Sequence, residues 1–149
     1  MLRRLYFTPY GVGLGHASRL LFLASKLKEL GCETRFSSFG EAENYLNIHG
    51  YKCNSIPPVE FLWGREGEFS VKHNITKIPQ WITNLPIQIN KEIDYIKKFD
   101  PSIIISDSRI SSLIAGKLLN IPTILVINQI KLLLTPALRK YKFVKFFET

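Results

Sequence analysis

The sequence predicts an α/β domain built on a doubly wound parallel sheet, because apolar strand-like runs alternate along it with helical patterns. The chain of 149 residues is 46% apolar and 21% charged, which is enough to build one compact domain over residues 1–149. The predicted strands are residues 5–9, 34–39, 52–56, 103–106 and 123–127. We expect these strands to lie in the order 3-2-1-4-5, with the winding direction reversing between the first and the fourth.

Helical patterns separate the strands. The first helix carries leucines at helical spacing from Leu20 to Leu30 and ends at Gly31. Shorter helices are predicted over residues 41–49 and 111–119, and a longer one over residues 80–98 is expected to kink at Pro86. The longer helix is expected to turn one apolar stripe inward: Ile82, Leu85, Ile89, Ile93 and Ile96. Residues 57–78 lack periodicity and predict a long loop, and residues 135–147 predict a further helix.

The charge and hydropathy of the chain limit the cellular locations and the classes of binding partner that we expect. The formal net charge is +8, and the last twenty residues hold five basic side chains against one acidic one. Basic residues do not alternate regularly with stacking aromatics, so we expect no nucleic-acid partner. A solvated basic surface and a weak contact with an anionic membrane both stay open. No apolar run is long enough for a membrane span or a signal peptide, so we expect a cytoplasmic domain, peripheral to the inner face of the membrane at most.

The two cysteines are predicted to be structural. Cys32 lies next to the second predicted strand and Cys53 lies on the neighbouring third one, and neither has a second cysteine at a metal-binding or redox spacing. We therefore expect two buried thiols rather than a disulfide or a metal site.

A glycine-rich turn is the strongest functional signal in the sequence. Residues 11–19 read Gly-Val-Gly-Leu-Gly-His-Ala-Ser-Arg and join the first strand to the first helix. Three glycines in five residues allow a tight turn and a close approach of the backbone to a ligand. The helix that follows presents unpaired N–H groups to an anion or a sugar hydroxyl. The turn therefore predicts a ligand site that includes His16.

The predicted topology places a carboxylate beside this histidine. Ligands of doubly wound sheets bind at the carboxyl ends of the strands where the winding reverses, between the first strand and the fourth. The first strand leads to His16 and the fourth to Asp107, so these side chains are expected to be neighbours. A carboxylate holds one tautomer of an imidazole and stabilises the imidazolium, as a general base requires. In the structural alternative, His16 only packs the loop and Asp107 only caps the next helix.

The glycine-rich turn does not match the motifs of two common glycine-loop functions, phosphate binding by a P-loop and dinucleotide binding. The Lys-Ser/Thr ending of a phosphate-binding P-loop is absent, because Gly15 is followed by His16 and Ala17. The dinucleotide pattern also fails, since His16 stands where the third glycine would be and no acidic residue closes the second strand.

Several short motifs together resemble a known enzyme family. They are Gly11-x-Gly13-x-Gly15-His16-x-x-Arg19, Phe39-Gly40-Glu41, Ser106-Asp107, Ile121-Pro122 and Asn128-Gln129. In order and spacing, the whole chain resembles the amino-terminal half of GT-B glycosyltransferases. The most similar group includes the UDP-GlcNAc transferase of peptidoglycan lipid synthesis and the UDP-glycosyltransferases.

The resemblance implies a Rossmann-like acceptor-binding domain at the front of a longer two-domain protein. His16 would be the base and Asp107 the carboxylate that orients it. The backbone of Gly13, Leu14 and Gly15 would face the sugar phosphate. Arg19, Asn128 and Gln129 would complete the substrate-binding set.

The resemblance also implies the partners. A UDP-sugar would be the donor, held mainly by a missing carboxyl-terminal domain or a separate donor-binding subunit, so the 149 residues alone are expected to be inactive. The acceptor would be a sugar, a lipid-linked molecule or a small molecule. No other cofactor is expected, and no metal, since the sequence contains no Asp-x-Asp motif. A nucleotide-sugar epimerase and a non-catalytic subunit that docks a donor-binding chain remain alternatives.

Overall fold

A computed structural model describes residues 3–60 and 74–127 of the chain. Its five strands form one all-parallel sheet in the order β3-β2-β1-β4-β5, which confirms the predicted fold class and strand order. The strands are β1 (Arg4–Pro9), β2 (Glu33–Ser38), β3 (Cys53–Ser55), β4 (Ile103–Asp107) and β5 (Thr123–Val126). The helices are α1 (Leu14–Glu29), α2 (Gly40–Ile48), α3 (Ile78–Phe99) and α4 (Ile110–Leu118).

The two faces of the sheet carry separate apolar cores. On one face, Phe7 of β1 and Phe36 of β2 stack with ring centroids 5.1 Å apart and pack against Leu20 of α1. On the other face, Tyr6 and Ile104 pack against Ile96 of α3 and against α4. Successive residues of a strand point to opposite faces, so β1 and β4 contribute to both cores. Both strands are accordingly buried, as expected for the centre of a parallel sheet.

Helix α3 corrects one expectation. Ile96 at its carboxyl end is buried and Leu85, Ile89 and Ile93 are half-buried, but Ile82 is 69% exposed. A helix of 22 residues is about 33 Å long, whereas a six-residue strand spans only about 20 Å. The length of α3 thus exceeds that of the described strands, which accounts for the exposure of the apolar stripe at its amino-terminal turns.

The chain after β3 is tied to the surface of α3. Trp81 donates its indole N–H to the carbonyl of Glu60 at 2.8 Å, and Asn84 donates to the carbonyl of Pro58 at 2.7 Å. One turn further along, Gln88 donates to the carbonyl of Pro57 at 2.5 Å. These donors recur at helical spacing, so one face of α3 orders the start of the predicted loop. Residues 61–73 of that loop and the predicted helix over residues 135–147 lie outside the described residues.

Other features differ from the sequence expectations in detail. Helix α1 begins at Leu14, inside the glycine-rich turn rather than after it. Cys32 and Cys53 are free thiols, as predicted, but both are half-buried rather than buried.

Within residues 3–60 and 74–127, no helix is long and apolar enough to cross a membrane.

Candidate active site

The glycine-rich turn lies at the carboxyl end of β1, beside the end of β4. The register pairs Pro9 with Asp107, and the N–H of Tyr10 donates to the carbonyl of Asp107 at 3.0 Å. The backbone of Gly13 has a φ of 75°, a left-handed value that favours glycine, and its N–H donates to Oε2 of Glu41 at 3.0 Å. Pairing of the two central strands therefore places the turn directly beside Asp107.

The glycines of the turn differ in their surroundings. A Cβ added to Gly11 would lie 2.3 Å from Cδ2 of Phe39, so the fold itself requires glycine at this position. A Cβ added to Gly15 would meet nothing within 4 Å, and the backbone at this position has no positive φ. Gly15 is exposed in the first turn of α1, and Leu14 before it is exposed as well. The surface around these two residues is open to a ligand.

His16, Arg19 and Asp107 form one hydrogen-bonded cluster. Nδ1 of His16 lies 2.7 Å from Oδ1 of Asp107, and Arg19 donates to Oδ2 through Nε at 2.9 Å and through Nη2 at 2.7 Å. His16 and Arg19 lie three positions apart on α1, so both reach the same carboxylate. The hydroxyl of Ser108 donates a further hydrogen bond to Oδ1 of Asp107, at a distance of 3.2 Å.

The burial of the three side chains differs sharply. The side chain of Asp107 is 0% exposed, whereas those of His16 and Arg19 are 23% and 38% exposed. Burial acts to raise the pKa of Asp107, but hydrogen bonds and charge from His16 and Arg19 outweigh this effect, and the pKa lies below its ordinary value. Asp107 is therefore a carboxylate at neutral pH, and it accepts the Nδ1–H of His16. In the neutral ring, Nε2 is then the nitrogen that carries the free lone pair.

The ring of Tyr10 packs against both His16 and Phe39. The ring of Tyr10 meets that of His16 edge to face at a centroid distance of 5.7 Å, and it meets that of Phe39 in the same way at 5.6 Å. Sequence reasoning did not single out Tyr10 as a site residue. The place of Tyr10 directly before the glycines was the only signal that could have indicated it. Glu41 was noted within the Phe39-Gly40-Glu41 motif, but its bond to Gly13 was not foreseen.

The structure brings together six of the predicted site residues: Gly13, Leu14, Gly15, His16, Arg19 and Asp107. Leu14 lies on the exposed first turn of α1. Arg19, expected to bind substrate, is also a partner of Asp107. Asn128 and Gln129 lie outside the described residues, so their substrate-binding role stays a prediction.

Two further observations concern the rest of the described chain. Among residues 3–60 and 74–127, no group of three or more His, Cys, Asp or Glu side chains is arranged to hold a metal ion. A shallow cavity of about 360 Å³ lies at the opposite end of the sheet and is lined in part by Lys28, Cys32 and Tyr51. None of the described site residues lines this cavity, so it is separate from the His16 cluster.

Comparison with known proteins supports a glycosyltransferase relationship. No protein-family model matches the chain. A protein of Methanosarcina mazei named as an uncharacterized glycosyltransferase is 36% identical over 120 residues, which are 80% of this chain and 31% of that protein. A Methanosarcina acetivorans protein of the same name is 31% identical over 121 residues, again 80% of this chain and 31% of the relative. The chain thus spans about a third of the length of the curated relatives that it matches.

Solved structures give the same fold. MurG of Acinetobacter baumannii superposes with a TM-score of 0.61 at 17% identity, covering 95% of this chain and 40% of MurG. SnogD, a glycosyltransferase of Streptomyces nogalater, has a TM-score of 0.61 at 14% identity and covers 85% of this chain and 34% of SnogD. The glycosyltransferase VinC, solved in complex with DTDP, also has a TM-score of 0.61, at 13% identity over 83% of this chain and 34% of VinC. The chain is therefore homologous to proteins named as glycosyltransferases, and its domain has the fold of part of a GT-B glycosyltransferase.

Proposed function

We propose that residues 1–149 form the acceptor-binding domain of a glycosyltransferase that moves a sugar from a UDP-sugar to an acceptor hydroxyl. The observation that carries this proposal is the 2.7 Å contact of His16 Nδ1 with the buried carboxylate of Asp107, beside an open glycine turn. The similarity to named glycosyltransferases supports the reaction class.

In the proposed reaction, Nε2 of His16 takes the proton of the acceptor hydroxyl. The acceptor oxygen forms a bond to the anomeric carbon of the donor while the bond from that carbon to the diphosphate oxygen breaks. The nucleoside diphosphate leaves with the electron pair of the broken bond, and the proton stays on the imidazole. Asp107 stabilises the resulting imidazolium, since its carboxylate is bonded to Nδ1.

Arg19 limits how strongly Asp107 can act on the histidine. Its guanidinium contributes two hydrogen bonds to Oδ2 and neutralises part of the carboxylate charge. Asp107 is thus suited to holding the ring of His16 in one orientation and tautomer. We infer that orientation, more than an increase in basicity, is its main contribution to the reaction.

The donor is proposed to meet this domain at the glycine turn, with the backbone of Gly13, Leu14 and Gly15 facing the sugar phosphate. The N–H groups of Leu14 and Gly15 in the first turn of α1 would donate to it, because the N–H of Gly13 is bonded to Glu41. Gly15 suits this role because, outside its own turn of α1, no atom of the described residues lies within 4 Å of the position that a Cβ would occupy. The main donor site is proposed to belong to a further domain or a separate subunit. The acceptor is a sugar, a lipid-linked molecule or a small molecule, and we place the reaction in the cytoplasm, with at most a weak contact to an anionic membrane.

The direct test measures acceptor-dependent release of nucleoside diphosphate by the full-length protein, with UDP-sugars and dTDP-sugars offered separately. The proposal predicts UDP release that requires an acceptor, together with a product heavier by one sugar. Isomerisation of the UDP-sugar without an acceptor would identify an epimerase instead. Activity that appears only after a second chain is added would assign the donor site to a separate subunit. Release from dTDP-sugars alone would contradict the choice of donor.

A further inference from the structure

A second charged cluster lies on the face of the sheet opposite to His16. Arg109, just before α4, forms an ion pair with Glu92 of α3, and both side chains are almost completely buried. Glu92 also accepts hydrogen bonds from the hydroxyls of Tyr6 at 2.9 Å and Ser37 at 2.8 Å. The carboxylate is therefore bonded to residues of β1, β2 and the β4–α4 turn at once.

The guanidinium of Arg109 is held through both of its terminal nitrogens. Nη1 donates to the carbonyl of Ser37 at 2.7 Å, and Nη2 donates to the hydroxyl of Ser111 at 3.1 Å as well as to Glu92. Replacing a buried ion pair by apolar residues of similar size is often neutral or stabilising, so stability alone is a weak reason for this pair. The pair fixes the direction of Arg109, and with it the backbone that carries Arg109.

That backbone is the turn that presents Asp107. Ser108 has a φ of 59°, an uncommon value for a residue with a side chain, so the turn depends on its surroundings to keep its shape. The carbonyl of Arg109 accepts bonds from the hydroxyls of Ser106 at 2.8 Å and Ser112 at 3.2 Å. The side chain of Asp107 lies with α1 on one face of the sheet, while that of Arg109 lies with α3 on the other.

We propose that Arg109 and Glu92 are positioning residues, which hold the turn of residues 106–109 so that Asp107 meets His16 and Arg19. The catalytic meaning of this role rests on the proposed function. The geometric claim does not, because it concerns only the contacts of Asp107 within this chain. The pair thus links α3 to the turn that carries Asp107, in addition to the packing of Tyr95 of α3 against Tyr10 and Phe39.

The test uses the charge-neutral double substitution Glu92→Leu with Arg109→Met in the 149-residue chain. Circular dichroism checks that the variant folds, and NMR titration follows the carboxyl carbon of Asp107. Because the net charge is unchanged, a purely structural role would leave the pKa of Asp107 where it is in the original chain. Loss of positioning predicts that this pKa rises towards the ordinary value, since the bonds to His16 and Arg19 weaken. The ring nitrogens of His16 at about pH 8.5 should then report a mixture of tautomers.

A matched control replaces the exposed pair Arg4 and Asp100, which is 2.8 Å apart, by Arg4→Met with Asp100→Asn. The control should leave both the pKa of Asp107 and the tautomer of His16 unchanged. If the double variant does not fold, the single substitution Glu92→Gln serves in its place. Removing a negative charge would by itself lower the pKa of Asp107, whereas loss of positioning raises it, so the two effects have opposite signs. An unchanged or lower pKa of Asp107 in a folded variant would overturn the proposal, whatever the transferase assay shows.

Discussion

Nδ1 of His16 lies 2.7 Å from Oδ1 of Asp107, although the two residues are 91 positions apart in the chain. The contact follows from the pairing of β1 with β4, in which Pro9 lies opposite Asp107. The strand ends are thereby fixed side by side, and the turn after β1 needs only seven residues to bring the imidazole back over the carboxylate. The geometry of this proposed catalytic pair therefore depends on the central strands of the sheet, which are its most buried part.

Replacing Asp107 by Asn should weaken both the site and the fold. Asn preserves the shape of the side chain but removes the charge that Arg19 and His16 share, and one of its polar atoms becomes a donor facing them. We expect a loss of about 1–3 kcal/mol in the free energy of unfolding at pH 7, measured by urea denaturation. Transferase activity of the full-length protein should fall with it. An unchanged free energy of unfolding would show that the hydrogen bonds to the Asp107 carboxylate make no net contribution to stability.

The same carboxylate predicts a pH dependence of stability. The pKa of Asp107 is lower in the folded chain than the ordinary value of about 3.9 expected when the chain is unfolded. Its contribution is therefore complete above that ordinary value and is lost as the pH falls through the folded-state pKa. Urea denaturation of the original chain and of Asp107→Asn should show a stability difference that is largest near neutral pH and narrows by pH 3. A stability difference that widens on acidification would contradict the lowered pKa of Asp107 in the folded chain.

Two glycines of the turn should respond in opposite ways to the same change. Gly11→Ala places a methyl group against the ring of Phe39 and should destabilise the fold by about 1–3 kcal/mol. Gly15→Ala meets no protein atom and lies in a helix, so stability should be unchanged or raised by up to about 1 kcal/mol. If substrate approaches the backbone at this position, Gly15→Ala nevertheless raises KM. Normal KM values for donor and acceptor would remove Gly15 from the substrate-binding set.

Cys53 should be a poorly reactive thiol. Burial, with a smaller contribution from the charge of Glu43, raises its pKa to about 12, so very little thiolate exists near pH 8. In a Cys32→Ser variant, the remaining thiol should react with an aromatic disulfide reagent at least about 100-fold more slowly in the folded chain than in denaturant. The Cys53→Ser variant gives the matched measurement for Cys32. Rapid labelling of Cys53 in the folded chain would show that the surrounding structure opens readily.

The sequence predicted the sheet well because strand composition and helix periodicity are local signals. The pairing of His16 with Asp107 was predictable too, since it follows from the position of two strand ends in a known winding order. The engagement of Arg19 with Asp107 was missed, although its spacing of three from His16 on a helix indicated a shared face.

Two other features had no local signal. Glu92 lies in the charged carboxyl-terminal half of α3, where a glutamate normally indicates the solvent face, yet it is buried and paired with Arg109. Ile82 continues a regular apolar stripe, but the length of α3 relative to the strands leaves it exposed. The burial of Glu92 and the exposure of Ile82 both depend on how elements that are distant in sequence pack together. The periodicity of a single helix carries no information about that packing.

The most direct test of the proposed mechanism is the turnover number of His16→Ala in the full-length protein, compared with that of His49→Ala. His49 is an exposed histidine at the end of α2 whose ring bonds to the carbonyl of Tyr45 and packs against the ring of Tyr45, so its loss should leave turnover unchanged. If His16 accepts the proton of the acceptor hydroxyl, His16→Ala should lower kcat by about 100-fold or more with a smaller effect on KM. A kcat close to that of the His49→Ala control would contradict the account and leave His16 with a binding role at most.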